Sequence, residues 1–337
     1  MKYKFDAISL LAYRLHKVGD TYDVSGEIGM KNEIGVSVVI PNYNCLSSLP
    51  RAIDSIRIQG MNTEIIVVDD GSTDGSREWL LTQEDIKVIH SHRIGASAAR
   101  NLAITHCMYE LIAFLDADDY WMEAKLQHQL VLHQLCPEIT FSFSDYQHVT
   151  AQGTKIIGCF DFWPRFNVFI NQKEPHRIEE TLFPLIFAEN VVGTSTVIAN
   201  KAALMAVGGF DEKLRSASDW DLWLKLAQQG SVGIVNRELC HYVSDRIGAI
   251  SRDQQARLKA MKAILWRHTD AIKRHPSALI AGYSRWILGI AEYNRSQHAY
   301  ILAFFQQTLA YCTQPSRRHL RAMGGDILRV LMLKRAK

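Results

Sequence analysis

An α/β fold with a mostly parallel central sheet, flanking helices and an α-helical C-terminal region is predicted by three features of the 337-residue chain. Short Val- and Ile-rich runs alternate with helical patterns four times before residue 136, the order of right-handed βαβ units. Three of the runs, 36–40, 64–68 and 111–115, are apolar on largely consecutive rather than alternate residues, which suits a strand covered on both faces. From Ser251 onward the apolar residues recur at helical spacing, and 16 Lys and Arg stand against 4 Asp and Glu, whereas residues 1–250 carry 22 against 31. The shift divides the chain into an N-terminal extension over 1–34, an α/β domain over 35–250 and a basic helical region over 251–337.

Composition excludes several classes. An apolar content of 47% with 22% charged residues is ordinary for a globular protein and argues against disorder. No apolar run reaches the roughly 18 to 20 residues of a membrane span, the best stretch, 300–312, being broken by Gln306 and Gln307. Residues Met1 to Asp6 lack the apolar core of a signal peptide, so a cytoplasmic location is expected. The six cysteines show neither CxxC nor metal-ligand spacing and read as reduced and mostly buried. The near-neutral net charge of +3 points to no nucleic-acid partner.

Taken in order, residues 1–34 give a short helical pattern (Ile8, Leu10, Leu11, Leu15) followed by a Gly- and Asp-rich stretch. Residues 36–40 form a strand that stops on Pro41-Asn42-Tyr43-Asn44, where proline ends the ladder and Asn suits a turn. A helix over 46–59 follows, then a strand over 64–68 ending in Asp69-Asp70-Gly71-Ser72-Thr73-Asp74. Ser72, Thr73 or Asp74 can cap the next helix, but that leaves the two acids before the glycine unexplained. Residues 87–90 form a third strand. The helix after it opens on Gly95-Ala96-Ser97-Ala98-Ala99-Arg100-Asn101, small residues that let backbone amides approach a phosphate, with Arg100 as a charged fork.

The fourth strand, 111–115, runs into Asp116-Ala117-Asp118-Asp119. Three acids in four positions repel one another unless a cation or a set of donors neutralises them. Magnesium or manganese, held by one or two carboxylates plus substrate phosphates, matches the pattern; a solvated acidic turn capping the next helix is the plainer alternative. The acids also fall at the C-terminal edge of the strands, where α/β sheets bind ligands.

Beyond it, 122–136 is an amphipathic helix with His128 and His133 facing solvent, and 140–146 alternates with period two, opening a mixed or antiparallel portion. The Phe-rich stretch 159–175 reads as a long loop, either functional or a lid over the core. Residues 194–199 read as a strand. Gly208-Gly209-Phe210-Asp211-Glu212 is a turn, and 218–227 an amphipathic helix with Asp219 at its start, where a carboxylate can cap free amides.

With these residues in view, the stretch from about Val36 to Ser251 resembles the family 2 glycosyltransferases of the Rossmann-like GT-A fold. Five motifs occur in family order: Pro41 to Asn44, Asp69 to Asp74, Gly95 to Asn101, Asp116 to Asp119, and Gly209 to Glu212 leading to Ser218-Asp219-Trp220-Asp221. The resemblance implies a nucleotide-sugar donor, a divalent metal (Mn2+ or Mg2+), inversion at the anomeric carbon and a saccharide or lipid-linked acceptor. In it Tyr43 stacks on the base, Asp70 accepts the imide hydrogen of uracil or thymine, and Pro41, Asn44 and Arg100 complete the donor site. Asp118 matches the metal ligand, with Asp116 or Asp119 holding the ribose or completing the shell. Asp219 matches the catalytic base, and Trp220, Asp221 and Arg246 are candidate contacts for acceptor or diphosphate. Two departures stand out: Ser218 replaces a common Glu, and Tyr242 to Arg246 lacks the usual histidine, where Arg246 can substitute by charge.

Three other classes fit less well. A haloacid-dehalogenase-type phosphohydrolase also places Asp-x-Asp after a strand, but early in the chain and followed by Thr or Val where Tyr120 stands here. A glycoside hydrolase needs two carboxylates roughly 5 to 10 Å apart across the bond, and nothing predicts such a pair. A non-catalytic nucleotide-sugar-binding scaffold would have no use for Asp118 and Asp219 together. The basic face of the C-terminal helices, with Arg317, Arg318, Arg321, Arg329, Lys334, Arg335 and Lys337, either packs on the acidic domain or rests on an anionic membrane surface.

Overall fold

The computed structural model describes residues 14–18, 21–25, 34–170, 176–244, 253–313, 315 and 317–335. Two short strands, β1 (Arg14–Val18) and β2 (Thr21–Ser25), pair antiparallel, so Leu15 lies in a strand rather than the expected helix; the rest of that pattern lies outside the described residues. The central sheet begins with β3 (Val36–Asn42), followed by α1 (Leu49–Arg57), β4 (Thr63–Asp69), α2 (Ser76–Leu80), β5 (Ile86–His90), α3 (Ala96–His106) and β6 (Leu111–Phe114). β3, β4, β5 and β6 are parallel, in the spatial order β6-β3-β4-β5. Val38, Val39, Ile40, Ile66, Val67, Ile112, Ala113 and Phe114 are all buried, as strands covered by helices on both faces must be.

The register carries the functional consequence. β3 pairs with β4 through Asn42 opposite Asp69, and β4 with β5 through Asp69 opposite His90. On its other side β3 pairs with β6 only as far as Val39 opposite Phe114, beyond which Pro41 has no N–H to donate. The strand ends therefore release Tyr43, Asp70, Ser91 and Asp116 at one edge of the sheet.

The second half is mixed, as the period-two pattern predicts. A two-residue strand β7 (Tyr120–Trp121) and α4 (Lys125–Leu135) lead to β8 (Phe141–Val149) and β9 (Lys155–Gly158). The stretch expected as a loop instead forms α5 (Cys159–Phe162) and α6 (Pro164–Ile170), where Pro164 starts the second helix and Phe160 and Phe166 bury their rings. After β10 (His176–Glu179) and α7 (Phe183–Ala188), residues Thr194–Thr196 make a 3-10 turn, and the expected strand there shortens to β11 (Ile198–Asn200). β11 runs antiparallel between β6 and β8. Beyond α8 (Lys201–Ala206) and α9 (Ser218–Ala227), β12 (Val232–Val243) pairs parallel with β8 and antiparallel with β7 and β10. Against β10 and β12, α4 packs Val131, Leu132 and Leu135 onto Ile178, Val235 and Leu239. His133 is buried there, 3.0 Å from Ser142 Oγ, with burial pushing its pKa down to about 4; it does not face solvent as expected. His128 is half-buried beside His176. Of the cysteines, Cys45, Cys107, Cys159 and Cys240 are buried.

The chain divides into two compact units, residues 1–182, 191–212 and 225–246 in one, and 183–190, 213–224 and 247–337 in the other. The first holds the sheet. The second contains α7, the start of α9, and four long helices: α10 (Gln254–Ile272), α11 (Pro276–Ser296), α12 (Tyr300–Thr313) and α13 (Arg317–Arg335). α11 approaches α7 and α10 at Gly282, where a Cβ would come within 2.6 Å of the Phe187 ring and 3.0 Å of Leu265. Only glycine permits that spacing.

Candidate active site

In the first unit, two loops at the sheet edge are stitched into one surface. Asn42, buried at the end of β3, donates to Asp69 Oδ1 (2.9 Å) and Ser72 Oγ (3.1 Å). Asn44, at φ +52°, donates its amide to Ser72 Oγ (3.0 Å), and its side-chain oxygen accepts from Thr73 N (2.8 Å). Asp74 accepts from the amides of Leu46 (2.8 Å) and Ser76 (3.0 Å); the N-cap position of α2 itself is Gly75, at φ +91°, rather than one of the expected Ser72, Thr73 or Asp74. Asn44 thus shapes the turn beneath Tyr43, which stands half exposed above it. Pro41 sits one residue before Asn42, within β3.

Asp70 faces the loop before α3. Its carboxylate accepts from Ser91 Oγ (2.7 Å), Ile94 N (2.8 Å) and Gly95 N (2.8 Å), and the residue is almost fully buried. Asp70 is therefore the anchor of the loop before α3. In that loop Arg93, at φ +55°, lays its guanidinium 4.6 Å from the Tyr43 ring centre and hydrogen-bonds the Tyr43 hydroxyl. No motif signals Arg93; the Gly two residues on is the only local hint of special backbone geometry.

The three acids after β6 occupy different environments. Asp116 pairs with Arg100, which reaches across from α3 and lies 5.3 Å from the Phe210 ring centre. Asp118 is half-buried. Asp119 is fully buried: Oδ2 accepts from Ser195 Oγ (2.6 Å) and Oδ1 from Val243 N (3.1 Å). Burial, with the charges of Asp118 and Asp116, raises its pKa well above the usual carboxylate range. Asp119 consequently fastens the acidic turn to the end of β12, and the expectation that it contacts the donor is corrected: both oxygens face inward. Ser195, which sequence reasoning read as a strand residue, also accepts from Asp116 N (3.1 Å). It ties both ends of the turn together.

The donor set fits a hard divalent cation. Oxygen-only ligands crowd the turn, one acid is withdrawn into the interior, and the exposed edge is left to Asp118 with Asp116 beside it. Among the described residues no cluster of three or more His, Cys, Asp or Glu forms a complete cage. Ions of the Mg2+ and Mn2+ kind are held by one or two carboxylates and leave positions for substrate phosphates.

In the second unit, α9 presents three consecutive side chains in different directions. Asp219, in the first turn, is half-buried with Oδ1 accepting from Trp220 N (2.8 Å). Trp220 is buried, donating from Nε1 to Ile186 O (2.9 Å) with Arg285 stacked 4.3 Å over its ring; burial lowers the Arg285 pKa to about 10. Asp221 is fully buried between Arg267 Nη1 (2.6 Å) and His268 Nε2 (3.1 Å) of α10. Trp220 and Asp221 were expected as acceptor or diphosphate contacts; their burial makes them the anchors of the helix instead. Arg246 lies outside the described residues.

The match to the family model "Glycosyl transferase family 2" covers residues 37–178. An uncharacterized glycosyltransferase of Rickettsia felis is 33% identical over 60% of this chain and 32% of its own length, so the chain spans about a third of the first curated relatives it matches. In Bacillus subtilis, a protein provisionally named the teichuronic acid biosynthesis glycosyltransferase TuaG is 30% identical over 58% of this chain and 73% of its own. The Escherichia coli UDP-Glc:alpha-D-GlcNAc-diphosphoundecaprenol beta-1,3-glucosyltransferase WfgD is 26% identical over 60% and 73%. Staphylococcus aureus TarS 1-349 in complex with UDP-GlcNAc superposes with TM-score 0.57 at 16% identity over 87% of this chain and 89% of that one. The Pyrobaculum calidifontis mannosyltransferase PcManGT, in complex with GDP-Man and Mn2+, gives 0.56 at 18% over 88% and 80%. These two share the fold. The sequence relatives and the family model together place the chain in glycosyltransferase family 2.

Proposed function

We propose that the chain transfers a sugar, with inversion, from a UDP- or dTDP-sugar to a hydroxyl of a saccharide or lipid-linked acceptor in cell-surface polysaccharide synthesis. The observation that carries this reading is that Tyr43, Asp70, Asp116 and Asp118 follow the ends of parallel strands, with Arg100 of α3 paired to Asp116. Support for the finer points comes from relatives: one is named for teichuronic acid synthesis, another for a UDP-Glc donor and a diphosphoundecaprenol-linked acceptor. A neighbour in fold is bound to UDP-GlcNAc.

In this account the base stacks on the Tyr43 face opposite Arg93, and Asp70, already fixing the loop, uses a remaining lone pair for the imide hydrogen. Asp118, with Asp116 beside it, would hold Mn2+ or Mg2+, which supplies charge neutralisation for a diphosphate leaving group. Arg100 keeps Asp116 oriented. The acceptor oxygen forms a bond to C1 as the bond from C1 to the diphosphate oxygen breaks, and Asp219 takes the acceptor's proton. Residues 35–250 supply the catalytic domain and 251–337 an accessory helical region, working at the inner face of the cell membrane. Among the described residues no helix is long and apolar enough to cross a membrane. A panel of labelled nucleotide-sugars offered with saccharide and lipid-linked acceptors, with and without manganese, tests the reading. Transfer from one uridine or thymidine donor supports it; release of phosphate without transfer, from any donor, contradicts it.

A further inference from the structure

The pair α12 and α13 is amphipathic the wrong way round for a helix hairpin at the edge of a bundle. Its inner seam is polar. Arg295 of α11 donates from Nε and Nη2 to the fully buried Asp326 (2.8 and 3.0 Å) and from Nη2 to the buried Gln307 (2.7 Å). Asn294 Nδ2 adds a bond to Gln306 Oε1 (2.8 Å), and His319 is buried on the same side of α13 as Asp326. The outer face carries the apolar residues. On α12, Ile301, Leu302, Phe305 and Leu309 line one face, opposite the buried Ala303, Gln307 and Ala310. On α13, Leu320, Ile327, Leu328, Leu331 and Met332 do the same. All nine are between 47% and 66% exposed, on two helices that pack against each other, and apolar side chains exposed together in this way mark an interaction site.

Charge selects the occupant. At 100° per residue, Arg317 and Arg321 fall among the outward apolar residues of α13, and both are exposed. From residue 297 to 337 the sequence holds seven Lys and Arg and a single acid, Asp326, which is buried on Arg295. A second copy meeting this face would bring Arg against Arg with no carboxylate to separate them. An anionic bilayer offers both what the apolar stripe and what the arginines need. We infer that α12 and α13 lie flat on an anionic lipid surface, burying Phe305, Leu309, Ile327 and Leu331 among the acyl chains while Arg317 and Arg321 meet lipid phosphates. This deepens the reading above, resting on it only for a lipid-linked acceptor, whose membrane the enzyme would then share.

The test uses the full chain and phosphatidylglycerol/phosphatidylcholine vesicles that hold neither donor nor acceptor, so it reads docking apart from transfer. Wild type should sediment with anionic vesicles, lose binding as salt rises, and ignore phosphatidylcholine alone. Phe305→Ser with Leu309→Ser, Ile327→Ser with Leu331→Ser, and Arg317→Gln with Arg321→Gln should each weaken anionic binding roughly tenfold or more, with unchanged melting and unchanged UDP binding in solution. As a variant that keeps the apolar face, Phe305→Trp should gain fluorescence that brominated lipid quenches. Absence of quenching, or equal sedimentation with neutral and anionic vesicles, overturns the proposal. So does a wild-type dimer in analytical ultracentrifugation that the serine variants dissociate, since the face would then belong to a second copy.

Discussion

Ser195 Oγ sits 2.6 Å from Asp119 Oδ2 and 3.1 Å from the amide nitrogen of Asp116, bridging the two ends of the acidic turn. The hydroxyl donates to the first and accepts from the second, so one side chain sets the shape on which Asp118 is displayed. Replacing it by Ala leaves a buried carboxylate short of a donor, a loss of about 1 to 3 kcal/mol. Ser195→Ala should therefore lower the unfolding free energy by that order in urea titration and raise the donor KM more than it lowers kcat.

The acids themselves separate by environment. Asp118→Asn should nearly abolish transfer while the melting curve stays that of wild type, because the substitution keeps the shape of a side chain that is only half-buried. Wild-type turnover by Asp118→Asn in chelator-treated buffer would remove the cation role.

For Asp219, the expected signature is a loss confined to the chemical step. Asp219→Asn should keep donor affinity and reduce kcat by roughly 10² to 10⁴, the range for loss of a general base. Single-turnover rates with a fixed acceptor make the comparison, and undiminished turnover would move proton removal to another group.

Asp221 acts through helix position. Removing one partner of a buried ion pair costs on the order of 3 to 5 kcal/mol, so Asp221→Ala should destabilise the protein strongly in urea titration. Removing the exposed side of the pair with Arg267→Gln should cost less, since His268 still donates to the carboxylate. Equal stability of Asp221→Ala and wild type would show the contact to be incidental.

A pH dependence follows from Lys125, fully buried at the start of α4, with Nζ 2.7 Å from Gln129 Oε1 and 4.2 Å from the Trp121 ring centre. Burial lowers its pKa to about 7 from 10.5. Between those values the unfolded chain holds a proton that the folded chain has released, so this group makes stability rise with pH across that window and imposes its full penalty below it. Lys125→Met should stabilise the protein at pH 6, and that advantage over wild type should shrink steadily between pH 7 and 10. A variant curve parallel to wild type would show the lysine to be proton-neutral in folding.

How much of this was legible in the sequence depended on whether a residue's partner lay nearby in the chain. β3, β4 and β6 and the edge they share could be read because runs of consecutive apolar residues ending on Pro41, Asp69 and Asp116 leave few alternatives. Residues 159–170 misled because aromatic residues among polar ones fit no simple period, whereas Phe160 and Phe166 pack on Phe143. Ile327 and Leu331 have helical spacing, which marks a helix but not its inner face; the Arg295 to Asp326 bond decides that, and its partners are 31 positions apart. In the same way Trp220 and Asp221 looked available beside Asp219 until Ile186, Arg267 and His268 took them up.

The central claim, that the sheet edge binds a nucleoside diphosphate through a cation on Asp118, is tested most directly by calorimetric titration of UDP and dTDP, with and without Mn2+. Wild type should bind one of them only with the metal present, and Asp118→Asn should bind it at least tenfold more weakly. Binding of equal strength in chelator, or no binding of either nucleotide to a folded protein, would contradict the account.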